Sequence, residues 1–493
     1  MKRYYTLINA YGVWSALFSL LMVSATACSQ QQHATTKASR PNIIYILADD
    51  LGYGDLSVYG QKKFQTPHLD ALAQHGMRFT QHYSGSAVCA PSRSSLLTGE
   101  HTGHTPIRGN KELGTEGQIP LPEASITIAE MLQNAGYKTG AFGKWGLGFV
   151  GTEGDPNKQG FDEFYGYNCQ RMAHRYYPSY LWHNQEKVYL EGNDYTQTVT
   201  YAPDKIQEAT LQFIEDHKDE PFFAYVPFVL PHAELISPND SVLARFEGRY
   251  IEDKPFEMPH DYLSDYGPDI VPKKYCSQAT PHAVYATMVT RIDQYVAQIM
   301  DKLEELNLSD NTIVIFTSDN GPAVEGGADP DFFDGTAGLR GYKRDLYEGG
   351  IRAPFIAVWP GHIPAGATST HVSTFWDMMP TFAELVGVEV PSHTDGISFL
   401  PTLLGKSGQE VHEYLYWEFP AAGGRKAIRM GQWKGVAYNL TKGKKRNFEL
   451  YNLSSDPAEA HDLSADHPEI VAKLQAAMQS ASLPSELFPF EDK

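Results

Sequence analysis

The stretch Pro41-Asn42-Ile43-Ile44-Tyr45-Ile46-Leu47-Ala48-Asp49-Asp50-Leu51-Gly52 decides the fold. Its apolar residues run on without the polar alternation of a half-buried strand. Both faces must therefore be covered, the pattern of a parallel sheet lying between helices. The run ends on two adjacent carboxylates. In open parallel sheets ligands bind beyond the carboxyl ends of the strands, so Asp49 and Asp50 stand where chemistry is usually placed. Capping of the following turn is the other role open to such a pair.

A second stretch far downstream has the same design. Tyr285, Met288, Ile292, Val296, Ile299, Leu303 and Leu306 recur at helical spacing, and Asn307 to Asn311 is polar punctuation. Thr312-Ile313-Val314-Ile315-Phe316-Thr317-Ser318 then reads as another buried strand, ending on Asp319-Asn320-Gly321. Converged, Asp49, Asp50, Asp319 and Asn320 make an all-oxygen shell. Such a shell fits a hard cation, with calcium the first expectation and magnesium the second. Three carboxylates packed together with no cation would repel one another strongly. Phe222-Phe223-Ala224-Tyr225-Val226-Pro227-Phe228-Val229-Leu230-Pro231-His232 reads as a further buried strand that delivers a histidine at its end, a candidate general acid.

Val88-Cys89-Ala90-Pro91-Ser92-Arg93-Ser94-Ser95-Leu96-Leu97-Thr98-Gly99 is a turn feeding a helix, with the sulfur and Arg93 near its N-terminus, a position suited to an anionic substrate. The pentapeptide Cys-x-Pro-Ser-Arg followed by Leu-Leu-Thr-Gly resembles the maturation signature of the type I sulfatases, in which the cysteine becomes formylglycine. Gly136-Tyr137-Lys138-Thr139-Gly140-Ala141-Phe142-Gly143-Lys144-Trp145 resembles the second signature of that family, and the block from Gly341 to Pro354 resembles a third. The resemblance implies that Lys144 and Lys343 bind the sulfate, that His232 contacts the bridging oxygen, and that residue 89 touches the metal. It also implies an alkaline-phosphatase-like α/β fold: a large mixed, mostly parallel sheet between helices, then a smaller C-terminal α+β subdomain. Hydrated formylglycine would attack sulfur with one hydroxyl and expel sulfate with the other, while Lys144, Lys343 and Arg93 balance the charge. In one place the chain departs from the pattern. Many relatives have Lys-Trp-His where this chain has Lys144-Trp145-Gly146, and His174 is the candidate to fill that space.

The chain has 493 residues, 42% of them apolar, enough for a large core. A formal net charge of -19 argues against a nucleic-acid partner and requires positive charge to be local to the site. Met1-Lys2-Arg3, the apolar run from Tyr11 to Val23 and the small residues up to Ala27 read as a secretory signal peptide over residues 1–27. Cys28 then stands where bacterial lipoproteins carry their lipidated residue, with a polar tether over 28–40. A periplasmic protein and an outer-membrane-anchored lipoprotein are both open. Cys169 and Cys276 can pair in an oxidising compartment or remain two thiols.

The sulfatase-like domain is expected over 41–405 and the C-terminal subdomain over 406–493. In the latter, the stretches around Tyr414–Phe419, Lys426–Lys434 and Glu449–Leu453 read as short strands. A helix from about Pro468 to Ser480 follows, capped by Asp466. The aromatic stretch from Tyr176 to His183 suits sugar rings or anchors a loop, and residues 234–274 are a candidate cleft wall. Together with Pro231 to Glu234, the residues Gln170, Arg171, His174 and Tyr176 resemble the branch acting on 4-O-sulfated galactose or N-acetylgalactosamine. A sulfated saccharide and a formylglycine-generating maturase are the expected partners. The rivals are a phosphonate or phosphodiester hydrolase of the same superfamily, and a non-catalytic glycan-binding lipoprotein.

Overall fold

Asn42–Ala48 forms a strand with every residue buried, and its side chains divide between two cores. Ile44, Ile46 and Ala48 enter one, while Ile43, Tyr45 and Leu47 enter the other on the opposite face. This is why the run lacks polar alternation. The structure is a computed structural model and describes residues 40–114, 116–194, 197–257, 275–441 and 447–490. The leader, Cys28 and the tether up to residue 39 lie outside the described residues, as do positions 258–274 of the candidate cleft wall.

The Asn42–Ala48 strand pairs in parallel with Thr312–Ser318 on one side and Phe222–Pro227 on the other. Lys138–Lys144 and Glu163–Tyr167 continue the sheet in parallel. Arg352–Val358 and the hairpin Tyr180–His183/Glu186–Tyr189 add antiparallel strands towards its two edges, and the described residues give 11 strands in all. Helices cover both faces. Pro67–His75, Ala202–Asp216 and Pro281–Glu305 supply Leu69, Ile206, Phe213, Met288 and Ile292 to the first core. Cys89–Thr98, Ile128–Asn134 and Met378–Val386 supply Leu96, Leu132 and Phe382 to the second. The periodic residues from Tyr285 to Leu303 lie on the Pro281–Glu305 helix, and Leu306 is its C-cap. The chain leaves that helix through Asn307 at φ 56°, a left-handed conformation that asparagine tolerates.

The second sheet is antiparallel throughout: Leu415–Phe419, Arg425–Met430, Trp433–Tyr438 and Asn447–Asn452. On one face Tyr416, Ile428 and Leu450 pack on Leu474 and Met478 of the helix Pro468–Ser480. On the other, Leu415, Trp417 and Val436 meet Tyr83, Ile351 and Trp376 of the larger sheet's surroundings.

Two sequence expectations are corrected and an open one is decided. The cap of the last helix is His467 rather than Asp466, because Pro468 takes the first helical position. Of the two states open to Cys169 and Cys276, no disulfide joins them among the described residues. The strand before His232 ends at Pro227, and the histidine is carried beyond it on a loop. Among the described residues no helix is long and apolar enough to cross a membrane.

Candidate active site

The parallel register aligns the ends of the two central strands. Ala48 pairs with Ser318, so the chain leaves both strands at the same level and presents Asp49-Asp50 beside Asp319-Asn320. Backbone bonds fix the junction: Asp319 N–H donates to the Ala48 carbonyl at 3.0 Å, and Asp49 N–H to the Leu230 carbonyl at 2.9 Å. Asp50 has φ 63°, and its N–H donates to Asp319 Oδ1 at 3.1 Å. Asn320 Nδ2 donates to Asp50 Oδ1 at 2.7 Å. Asn320 Oδ1 is buried and has no hydrogen-bond partner among the described residues.

Cys89 opens a helix whose ten residues are all buried. Its Sγ lies 3.4 Å from Asp49 Oδ1 and 3.5 Å from Lys144 Nζ. Lys144, the last residue of its strand, also donates to Asp49 Oδ2 at 2.5 Å. On the far side Lys343 Nζ donates to Asp50 Oδ2 at 2.6 Å and lies 3.1 Å from His232 Nε2. Ligand atoms of Asp49, Asp50, Cys89 and His232 lie within 4.8 Å of one another. Burial alone would push the Asp49 and Asp50 carboxyls up, but the ammonium groups beside them, Lys144 for Asp49 and Lys343 for Asp50, hold both below the usual range. Burial, then the Asp49 carboxylate, pushes the Cys89 thiol up to about 12. An unmodified sulfur here is a poor nucleophile at neutral pH.

Arg93, expected to balance charge together with Lys144 and Lys343, stands against the carboxylates of the site, with Nη2 3.7 Å from Asp49 Oδ2. Its guanidinium is fully buried behind the carboxylates, donating to Asp319 Oδ2 from Nε at 3.1 Å and Nη2 at 2.8 Å, and to the Lys144 carbonyl at 2.5 Å. It holds two strand ends together. Ser92, in the same pentapeptide, was missed by the sequence reading. Its Oγ donates to the Asp319 carbonyl at 2.5 Å and accepts from Gly85 N–H at 3.1 Å.

Burial, then the Lys343 cation, lowers His232 to about 4, so its imidazole is neutral at neutral pH. Nδ1 sits against the Ala233 carbonyl, which leaves Nε2 facing Lys343 and Asp50. His174 stacks on His232, ring centroids 4.8 Å apart and 12° from parallel. The space directly beside Gly146 is occupied. That space holds the Gln170 side chain, since a Cβ on Gly146 would lie 1.9 Å from Gln170 Nε2. Tyr275, which no motif signalled, closes on both histidine rings at 5.2 and 6.0 Å. Arg171 is partly exposed and ion-paired with Glu112.

Tyr176 and Tyr177 are core residues rather than a sugar platform. The Tyr176 hydroxyl lies 2.7 Å from the carbonyls of both Val229 and His232 and positions the histidine loop. Tyr176→Phe leaves these carbonyls without their donor, so it is expected to destabilise by about 1–3 kcal/mol in denaturant unfolding and to lower turnover several-fold.

The sulfatase family model matches residues 41–388, and the model for the C-terminal region of N-sulphoglucosamine sulphohydrolase matches 338–483. The chain is 31% identical to the N-acetylgalactosamine-6-O-sulfatase of Bacteroides thetaiotaomicron, over 92% of this chain and 96% of that one. It is 32% identical to arylsulfatase A of Homo sapiens over 91% and 89%. Among solved structures it resembles Ps i-CgsB in complex with k-i-k-neocarrahexaose, with a TM-score of 0.73, 28% identity and coverage of 90% and 92%. Likeness to the phosphonate monoester hydrolase of Agrobacterium radiobacter, TM-score 0.59 at 20% identity, speaks for the fold alone. With the alkaline-phosphatase-like architecture, the aligned carboxylates and the three ordered sequence blocks, the chain belongs to the sulfatase family and is a sulfuric ester hydrolase.

Proposed function

We propose that this enzyme removes sulfate from a galactose or N-acetylgalactosamine unit of a sulfated saccharide, using formylglycine made from Cys89 and a bound Ca2+. The observation that carries the reading is the convergence of Cys89 Sγ, Lys144 Nζ and Asp49 at 3.4 to 3.5 Å on the buried first turn of a helix. Lys343 and His232 stand across from them. The galacto configuration is supported by the names of relatives, N-acetylgalactosamine-6-O-sulfatase among them. The residues that suggested a 4-O position are in part bound within the protein, Glu234 to Arg175 and Tyr176 to backbone. We therefore put 6-O sulfate first and 4-O second.

The donor set fits a hard cation. Asp49, Asp50 and Asp319 supply carboxylates, and Asn320 Oδ1 is a buried oxygen with no partner among the described residues. When present, Ca2+ adds a fixed double charge and hydrated formylglycine two hydroxyls on one carbon, one to attack sulfur and one to release it. The chain's own groups do the rest. Lys144 and Lys343 take up charge on the sulfate oxygens. His232, its Nδ1 held at the Ala233 carbonyl, directs Nε2 at the leaving sugar oxygen and gives that oxygen a proton taken up from solvent when the sulfate anion binds, while Lys343, 3.1 Å away, keeps its charge for the sulfate. Arg93 keeps Asp319 and the end of the Lys144 strand in place.

Export through the leader, anchoring at Cys28 and the need for a maturase complete the proposal. The test is peptide mass spectrometry across Cys89 on protein made with a formylglycine-generating enzyme, followed by sulfate release from 6-O- and 4-O-sulfated oligosaccharides. Conversion lowers the residue mass by about 18 Da. Unconverted cysteine in a fully active preparation rejects the formylglycine reading. Chelation is expected to lower turnover at least about tenfold, with Ca2+ restoring more of it than Mg2+.

A further inference from the structure

At Gly146 the family pattern Lys-Trp-His loses its histidine, and the fold shows what takes the room. Gly146 has φ 76°, and an added Cβ would lie 1.9 Å from Gln170 Nε2, so no side chain at 146 coexists with Gln170 in its present place. The approach is built into the sheet. The Lys138–Lys144 and Glu163–Tyr167 ladder is prolonged by Trp145 N–H to the Tyr167 carbonyl and Gly146 N–H to the Asn168 carbonyl, both at 2.9 Å. The chain from Asn168 to Gln170 is therefore held beside the Lys144 strand end.

A second set of contacts links Gln170 to the nucleophile's helix. Gln170 N–H approaches Gln118 Oε1 at 3.5 Å, and Gln118 Nε2 donates to the Lys111 carbonyl at 3.1 Å. The adjacent Asn110 Oδ1 accepts the Ala90 N–H at 3.1 Å, one residue after Cys89. Gln170 is thus part of a wall running from Lys144 to the helix that begins at Cys89. It is 4% exposed, and neither Nε2 nor Oε1 has a hydrogen-bond partner among the described residues. Asn168, 1% exposed, has the same two amide atoms unpartnered. Buried amides are almost always bonded, so an open pair calls for a partner from outside the chain, a water or a ligand.

We propose that Gln170 hydrogen-bonds the sulfated ring from the space at Gly146, a neutral amide standing where the family pattern has histidine. This rests on the sulfate-ester reaction at residue 89. A carboxamide donates through Nε2 to a sulfate or ring oxygen and accepts through Oε1 from a sugar hydroxyl, the chemistry of a hydroxylated, sulfated ring. Unlike histidine it adds no titrating charge.

The test is Gln170→Met, which keeps the side chain's length and removes both hydrogen-bonding atoms. It is made in the converted, metal-loaded full chain and measured on the saccharide the wild type turns over best. The expected result is a KM raised about 10- to 100-fold. The thermal midpoint should stay the same or rise by about 1–3 °C, because an unpaired buried amide has been replaced by an apolar group of similar volume. A space-filling glutamine predicts the reverse: Gln170→Met near the wild-type KM, with Gln170→Ala impaired and less stable. That pattern overturns the assignment, as does a KM for Gln170→Met within about threefold of wild type. Wild-type protein that releases no sulfate from any ester overturns the underlying reaction instead, and is seen before any variant is made.

Discussion

Cys89→Ser is expected to fold like the wild type and to lose turnover by about ten-thousand-fold or more. The substitution is small, and the buried first turn offers a hydroxyl the same neighbours that the thiol has, Asp49 Oδ1 and Lys144 Nζ. Folding is therefore spared. Serine retains an oxygen that can attack sulfur while the sugar oxygen leaves with a proton, but the product is a serine sulfate ester. No second hydroxyl stands on the same carbon to expel the sulfate, so release must wait for water. At most one equivalent of desulfated sugar per protein is expected, with an intact mass increased by one SO3 unit, about 80 Da. Cys89→Ala should give neither. Serine protein that turns over at the wild-type rate would remove residue 89 from the nucleophile's role, whatever its modification.

The frame of the site was readable because it depends on local patterns. Two unalternating apolar runs ending on Asp49-Asp50 and Asp319-Asn320 could only be strands of a covered sheet, and parallel pairing then aligns their ends. The helix Pro468–Ser480 and the Thr312–Ser318 strand were legible for the same reason. Side-chain direction was not. Arg93 is one helical turn from Cys89, but whether it meets a ligand or Asp319, 226 residues away, is decided by tertiary packing. For Tyr176 a sugar platform and a buried anchor both stood open, because aromatic composition does not say which ring is turned inward. Gln170 could be found at Gly146 only once the continuation of the sheet ladder was known.

Lys434→Met is expected to have the largest effect on stability, about 3–5 kcal/mol. Lys434 lies in the second sheet, fully buried, with Nζ 2.9 Å from both Glu348 Oε1 and Glu459 Oε1. Glu348 Oε2 also accepts from Arg352 Nε at 2.8 Å and Tyr83 OH at 2.7 Å, and Glu459 Oε2 accepts the Glu348 N–H at 2.6 Å. Removing the ammonium takes from Glu459 its buried cation and leaves Glu348 to Arg352 and Tyr83. Burial alone would raise Glu348, but Lys434 and then Arg352 hold it well below its ordinary range. Burial prevails at Glu459, pushed up to about 7 despite Lys434. The sign of the pH dependence follows. A carboxyl raised in the folded state contributes stability below its unfolded pKa and loses it as pH rises through the folded value. Without Lys434 both carboxyls move up, so proton uptake relieves the variant, and its deficit should be smaller near about pH 5 than near about pH 8. Adding Glu459→Gln should recover part of the loss at the higher pH; no recovery would mean that packing, not charge, is what Lys434 supplies. The effect should also reach the chemistry. Glu348 opens the short helix that follows the Lys343 loop, and Arg425 of the second sheet donates to the Arg344 carbonyl at 2.6 Å and pairs with Asp345. The second sheet thus holds the chain on the C-terminal side of Lys343, and loosening it should raise KM for the sulfate ester before kcat falls.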